Sequence, residues 1–169
     1  MKELTIYVDG ASKGNPGKAG IGIVFFCEGK KVKECSQYIG ITTNNVAEYM
    51  AVVFAMQEAL IMRVENIAVF TDSELVVNQI NGVYKVKDNN LFRLHKQVQH
   101  LKNGFKKFNI THIERAGNKE ADKLASRSVD RLDVCRGGKS GLQRARCPIT
   151  RDGSDSEEVQ QKINFQVSD

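Results

Sequence analysis

Four acidic residues stand in apolar or helix-starting surroundings, and their types suggest chemistry. Asp9 ends the apolar run LTIYV and Asp72 ends the run IAVFT, while Glu48 and Asp122 lie in helix-like segments. Burying such a charge is costly unless it is paired or coordinates a metal. Four carboxylates gathered at one point would repel one another, and oxygen-only ligands favour Mg²⁺ or Mn²⁺. The four acids therefore predict metal-assisted hydrolysis.

Each of these acids also has an ordinary structural explanation. Glu48 could complete a capping box with Asn45, and Asp72 could cap the helix that follows it. Asp9 could simply start a turn, and Asp122 could be an exposed helix residue between lysines. Taken one at a time, the residues leave both interpretations open.

Apolar periodicity predicts the elements that position the acids, in the order βββαβααβα. Strands are expected at residues 4–9, 20–27, 31–39, 66–71 and 107–113. Helices are expected at residues 45–62, 73–81, 89–103 and 118–130. The glycine-rich segment 10–17 is expected to be a turn-rich loop. This order predicts an α/β fold with a mixed sheet and helices on its faces.

Length and composition narrow the class of protein. The 169 residues suit one domain, and 41% hydrophobic with 27% charged residues is typical of a globular protein. No apolar run approaches the roughly 20 residues of a membrane span, and no signal-peptide core opens the chain. We therefore expect a cytoplasmic protein that does not contact a membrane. The four cysteines form no CxxC pair, so neither a zinc site nor a disulfide framework is predicted.

Charge separates the chain into two parts. Residues 1–131 hold 19 Lys and Arg against 14 Asp and Glu, so the whole net charge of +5 lies there. A basic surface around an acidic cluster suits a polyanion handled through metal ions, although a solvated basic surface would look the same. Residues 132–169 lack sustained apolar periodicity, and we expect a poorly ordered tail without an assigned function. The predicted domain therefore covers residues 1–131.

Four stretches, taken together, resemble a known family. They are YVDGASKGNPGKAGIGIVF at 7–25, TTNNVAEYMAVVFAMQEAL at 42–60, FTDSELV at 70–76 and AGNKEADKLA at 116–125. In this order they are similar to type 1 ribonuclease H, in its compact prokaryotic, reverse-transcriptase-like branch. The resemblance implies a ribonuclease H-like fold, with a five-stranded sheet of three antiparallel strands and then two parallel ones.

The resemblance also implies an activity. Members of the family hydrolyse the RNA strand of RNA–DNA hybrids with two Mg²⁺ or Mn²⁺ ions, leaving 3′-hydroxyl and 5′-phosphate ends. By this resemblance Asp9 bridges both ions, Glu48 and Asp72 hold one, and Asp122 holds the other. We expect a monomer whose partner is the RNA–DNA hybrid.

The resemblance further implies a set of substrate contacts. Amide and backbone groups both donate and accept, which suits recognition of the 2′-hydroxyls that distinguish RNA from DNA. Ser73 would contact a phosphate at a helix N-terminus. The implied substrate-binding residues are Ser12, Gly14, Asn15, Asn44, Asn45, Ser73, Arg115 and Asn118.

Three departures from the family pattern keep alternatives open. The loop before Asp122 has no histidine, and Arg115 either replaces it by contacting phosphate or is a solvated loop residue. Glu74 stands where many relatives carry a glutamine, and the basic, tryptophan-bearing protrusion of some relatives is absent. The alternatives are a non-catalytic hybrid-binding module of the same fold, or a related nuclease acting on another nucleic acid.

Overall fold

Five strands form one mixed sheet in the computed structural model, which describes residues 3–130. The strands are β1 (Glu3–Gly14), β2 (Gly17–Cys27), β3 (Lys30–Thr42), β4 (Asn66–Thr71) and β5 (Lys107–His112). Their spatial order is β3-β2-β1-β4-β5. β1 pairs antiparallel with β2, and β2 with β3, whereas β1, β4 and β5 run parallel. This topology confirms the predicted sheet.

Helices cover both faces of the sheet. They are α1 (Asn44–Ile61), α2 (Glu74–Ile80), α3 (Asn89–Lys102) and α4 (Lys119–Asp130), with a single 3₁₀ turn at Arg115–Gly117. α1 packs on β1 and is backed by α3, while α4 packs on β1 and β2. The element order predicted from the sequence is confirmed.

The segment 10–17 is the main error of the predicted secondary structure. The β1–β2 pairing continues to Gly14 opposite Gly17, so the turn consists only of Asn15 and Pro16. Glycine suggested a loop because it favours turns. At Gly10, however, the physical cause is close packing, because a Cβ there would lie 2.2 Å from the backbone nitrogen of Glu48.

The core lies between α1 and the sheet. Every second residue of β1 from Leu4 to Val8 points into the core and is at most 1% exposed. This alternation is typical of a half-buried strand. The side chain of Thr43 accepts a hydrogen bond from the backbone of Val46 and caps α1. Thr43 and not Asn45 is thus the cap of α1, and the Glu48 oxygens accept from Asn44 and Ser73, so the capping box considered as an alternative for Glu48 is not formed. The rigid packing of α1 on β1 fixes the backbones that carry the first two acids.

Two expectations lie partly or wholly outside the described residues. The tail at 132–169 and the domain boundary at residue 131 lie beyond residue 130, the last residue described. Within residues 3–130, no helix is long and apolar enough to span a membrane.

Candidate active site

All four candidate acids line one cleft of about 300 Å³. Asp9 comes from the middle of β1 and Asp72 directly follows β4. These two strands are parallel neighbours, and their pairing ends at Tyr7 and Phe70. Both acids therefore lie just past the same end of this pairing. Glu48 is in the second turn of α1, and Asp122 is in the first turn of α4. Residues far apart in the sequence are thus brought together.

Two glycines allow the helices to come this close. Gly10 follows Asp9, and the space for its side chain is filled by the backbone of α1 at Glu48. Gly22 is the cross-strand partner of Asp9, and a Cβ there would lie 2.1 Å from the carbonyl oxygen of Ala121. Because Ala121 precedes Asp122, that approach carries the acid of α4 to the sheet.

Burial and mutual repulsion raise the proton affinity of the site. Asp9 is 7% exposed, and burial together with the charges of Asp72, Asp122 and Glu48 raises its pKa to about 8. Burial, joined by the charge of Asp72, also raises the pKa of Glu48 against the opposing effect of its hydrogen bonds. A divalent cation would remove this penalty by favouring the ionised carboxylates.

Hydrogen bonds fix the Glu48 carboxylate by both of its oxygens. Ser73 Oγ donates to Oε2 at 2.5 Å, and Asn44 Nδ2 donates to Oε1 at 2.8 Å. Ser73 is 7% exposed and also accepts a bond from the backbone of Val76 as the cap of α2. Both residues predicted to contact substrate therefore also orient a candidate metal ligand. The i,i+4 spacing of Asn44 and Glu48 on a helix could have indicated the second contact.

A cation already contacts the acid of α4. The Arg115 guanidinium donates to Asp122 Oδ1 at 2.7 Å, and this hydrogen bond raises the pKa of the arginine. The Arg115 side chain is 77% exposed, against 30% for Asp122. The arginine therefore lies at the mouth of the cleft, exposed to solvent.

The tip of the β1–β2 hairpin is tied to the start of α1. Asn15 Oδ1 accepts from the backbone nitrogen of Asn44 at 3.2 Å, and Ser12 Oγ donates to the carbonyl oxygen of Thr42 at 2.9 Å. Gly14 and Asn45 are exposed beside these contacts. The predicted substrate residues of the two elements thus form one polar edge, which ends at the acids. Lys13 and Ser126 also line the cleft and were missed by the sequence analysis.

The donor set suits Mg²⁺ or Mn²⁺, because every candidate ligand is a carboxylate oxygen. Within residues 3–130, no three His, Cys, Asp or Glu side chains are already placed to hold a single ion. Mg²⁺ commonly takes one or two carboxylates and completes its shell with water and substrate phosphate. The four carboxylates would hold such ions, and water and substrate phosphate would complete the coordination.

Comparison with known proteins gives consistent matches. A family model described as reverse transcriptase-like matches residues 7–128. The chain is 39% identical over 130 residues to a bifunctional protein of Mycobacterium tuberculosis, covering 76% of this chain and 36% of that protein. It is 40% identical over 125 residues to ribonuclease HI of Halobacterium salinarum, covering 73% of this chain and 63% of that protein.

Solved structures agree with these matches. The RNase H1 structure from Halobacterium salinarum aligns with a TM-score of 0.74 and 39% identity, covering 76% of this chain and 98% of that chain. An RNase H1 isolated from compost, solved with an RNA/DNA hybrid, aligns with a TM-score of 0.71 and 41% identity, covering 75% and 96%.

These matches extend over nearly all of the described residues. The chain spans about a third of the length of the mycobacterial relative and just under two thirds of the haloarchaeal one. The family model spans most of β1, the other four strands and nearly all of the last helix. The chain belongs to the reverse transcriptase-like family of type 1 ribonuclease H proteins.

Proposed function

We propose that this protein is a metal-dependent endoribonuclease that cuts the RNA strand of RNA–DNA hybrids. The observation that carries the proposal is the convergence of Asp9, Glu48, Asp72 and Asp122 in one cleft. One relative at 40% identity is named ribonuclease HI, others at 40% and 42% are named ribonuclease H, and one aligned structure contains an RNA/DNA hybrid. The close approaches of α1 at Gly10 and of α4 at Gly22 lie beside these acids, so the packing of the fold also builds the proposed metal site.

The cofactor of this proposal is a pair of Mg²⁺ or Mn²⁺ ions held by the four carboxylates. Such ions supply a nucleophilic water and neutralise charge on the scissile phosphate. The protein's own contribution is orientation. Ser73 and Asn44 hold Glu48 by its two oxygens, so that carboxylate keeps its direction before substrate arrives.

The hairpin edge would select the RNA strand. Ser12, Asn15 and Asn44 lie beside the acids, and each has hydrogen-bonding capacity beyond the contacts described above. The Ser12 hydroxyl oxygen and Asn44 Oδ1 can accept from a 2′-hydroxyl, and Asn15 Nδ2 can donate to one. A DNA strand offers no partner there, so polar groups turned toward it would be left unpaired. We therefore place the RNA strand along this edge.

A substrate panel tests the proposal. Purified protein is incubated with end-labelled RNA–DNA hybrid, double-stranded RNA and DNA duplex, each with Mn²⁺, Mg²⁺ or EDTA. We expect cutting of the RNA strand of the hybrid with either metal and none in EDTA. Hybrid binding without cleavage in either metal would favour a non-catalytic module, and preference for another duplex would favour a different nuclease.

Arg115 is expected to bind the phosphate backbone. Substitution to alanine removes an exposed positive charge from the mouth of the cleft, so the KM for hybrid should rise about 10-fold at moderate salt. The slope of log affinity against log salt should fall by about 1. Lys123→Ala, which removes an exposed charge next to Asp122 in sequence, is the control and should change both quantities much less. An unchanged slope for Arg115→Ala would show that this arginine does not contact the phosphate backbone.

We also propose that the domain ends near residue 131. Residues 3–130 already contain the five strands, four helices and all four acids. A chain truncated after Arg131 should therefore keep the Tm and the hybrid cleavage rate of the whole chain, the rate within about twofold, because the described residues already supply the sheet, its helices and the cleft. Loss of folding or of cleavage would contradict this boundary.

A further inference from the structure

A buried amide connects the strands to the last helix beneath the cleft. Asn118 directly precedes α4 and is 1% exposed. Its Nδ2 donates to the carbonyl oxygen of Val8 at 2.9 Å and to Asp72 Oδ1 at 2.9 Å. A side chain this buried, with its donors occupied, is poorly placed to contact a nucleic acid directly.

The orientation of this amide follows from its partners. Both are acceptors, a backbone carbonyl and a carboxylate, so only the nitrogen of the amide can face them. The oxygen, Asn118 Oδ1, is buried and accepts no hydrogen bond from the described residues. A buried acceptor without a partner is unfavourable. The amide thus keeps the orientation that satisfies two acceptors with its nitrogen and leaves its oxygen without a partner among the described residues.

Asn118 contacts two of the four acids and the residue that precedes a third. Val8 directly precedes Asp9 on β1, at the point where the pairing of β1 with β4 has ended. Asp72 accepts from the Asn118 side chain, and the backbone nitrogen of Asp122 donates to the Asn118 carbonyl oxygen at 3.0 Å. One residue thus links the first strand, the end of the fourth strand and the first turn of α4.

We propose that Asn118 is a positioning residue that sets the spacing of Asp9, Asp72 and Asp122 and thereby the affinity for divalent metal. This inference rests on the proposed function, because it assumes that the acids bind metal. A neutral amide can hold one oxygen of Asp72 without cancelling the charge of the carboxylate, which leaves the other oxygen for a cation. Hydrogen-bond partners of metal ligands typically change metal affinity by 10–100-fold when they are removed.

Two substitutions and a control separate this role from a general loss of stability. Asn118→Leu keeps a similar shape without donors, and Asn118→Ala removes the side chain. Asn81→Ala is the control, because it removes an amide-to-carbonyl bond, from Asn81 Nδ2 to Ile110 at 3.4 Å, that does not involve the acids. Folding of each protein is checked first by circular dichroism. Mn²⁺ affinity is then measured from the rise of Tm during a Mn²⁺ titration, and KM and kcat are measured for the hybrid at saturating Mn²⁺.

Both Asn118 variants are expected to bind Mn²⁺ at least about 10-fold more weakly, with KM for the hybrid within about twofold of wild type. Asn81→Ala should keep the wild-type Mn²⁺ affinity. Unchanged Mn²⁺ affinity in the Asn118 variants, a raised KM alone, or loss of folding in both of them would overturn the inference. If wild-type protein itself bound no Mn²⁺, the proposed function would fail, and that result is distinct from equal binding by wild type and variants.

Discussion

Replacing Asp72 with asparagine is expected to reduce hybrid cleavage at least about 10³-fold, equivalent to about 4 kcal/mol of transition-state stabilisation. The substitution keeps the shape of the side chain but removes the negative charge that would hold a cation at the end of β4. Its hydrogen bond from Asn118 would survive at the remaining oxygen, so the fold should be retained. Cleavage of a labelled hybrid at saturating Mn²⁺, followed over time, gives the ratio of rates.

Glu65→Gln is the matched control for this substitution. Glu65 precedes β4, whereas Asp72 follows it, so the same change of acid to amide is made at opposite ends of one strand. Glu65 pairs with Lys106 at 2.8 Å on the surface, where an ion pair contributes little. Its substitution should leave cleavage within about twofold of wild type. Equal cleavage by wild type and Asp72→Asn would remove Asp72 from the catalytic set.

Asp9→Asn is expected to stabilise the metal-free protein while abolishing cleavage. Burial and the neighbouring acids raise the pKa of Asp9 to about 8 in the folded state, against an ordinary value of 3.8. The folded protein then holds a proton that the unfolded chain releases, so folding stability falls as pH rises from about 4 to about 8. Within this range one such group contributes a slope of about 1.4 kcal/mol per pH unit. Asparagine does not titrate and lacks this slope.

Urea unfolding in EDTA measures the effect. The gain in free energy of unfolding from Asp9→Asn should be at least about 2 kcal/mol larger at pH 8 than at pH 5. Saturating Mn²⁺ should reduce or reverse the difference, because only the wild type gains the full binding energy of the metal. A gain that is independent of pH would contradict the assignment of a raised pKa to Asp9.

The acids and most elements could be predicted from local patterns. The alternation of Leu4, Ile6 and Val8 places Asp9 on a half-buried strand, although that strand continues to Gly14 instead of ending at Asp9. The apolar run before Asp72 predicts β4. The glycine-rich segment 10–17 was misread because turn formation and close packing require the same residue. Only the structure shows that Gly10 lies against the backbone of α1.

The supporting contacts could not be predicted, because they depend on tertiary approach. Asn118 was assigned to the substrate from its motif, yet it lies beneath the cleft and donates to Asp72. Ser73 was assigned to a phosphate, and its hydroxyl donates to Glu48. In both cases the partner lies more than 20 residues away in the sequence, and no local periodicity records such a pair. The structure adds that Asn118 and Ser73 orient candidate metal ligands, a role that no local sequence pattern indicates.

Titration calorimetry with Mn²⁺ at pH 8 tests most directly whether the acidic cleft is a metal site. Wild-type protein and the variants Asp9→Asn, Glu48→Gln, Asp72→Asn and Asp122→Asn are compared, with Glu65→Gln as the control. We predict binding to wild type and to the control, and at least about 10-fold weaker binding to each of the four variants. Mn²⁺ binding that persists unchanged in all four variants, or that is absent from wild type, would contradict the account.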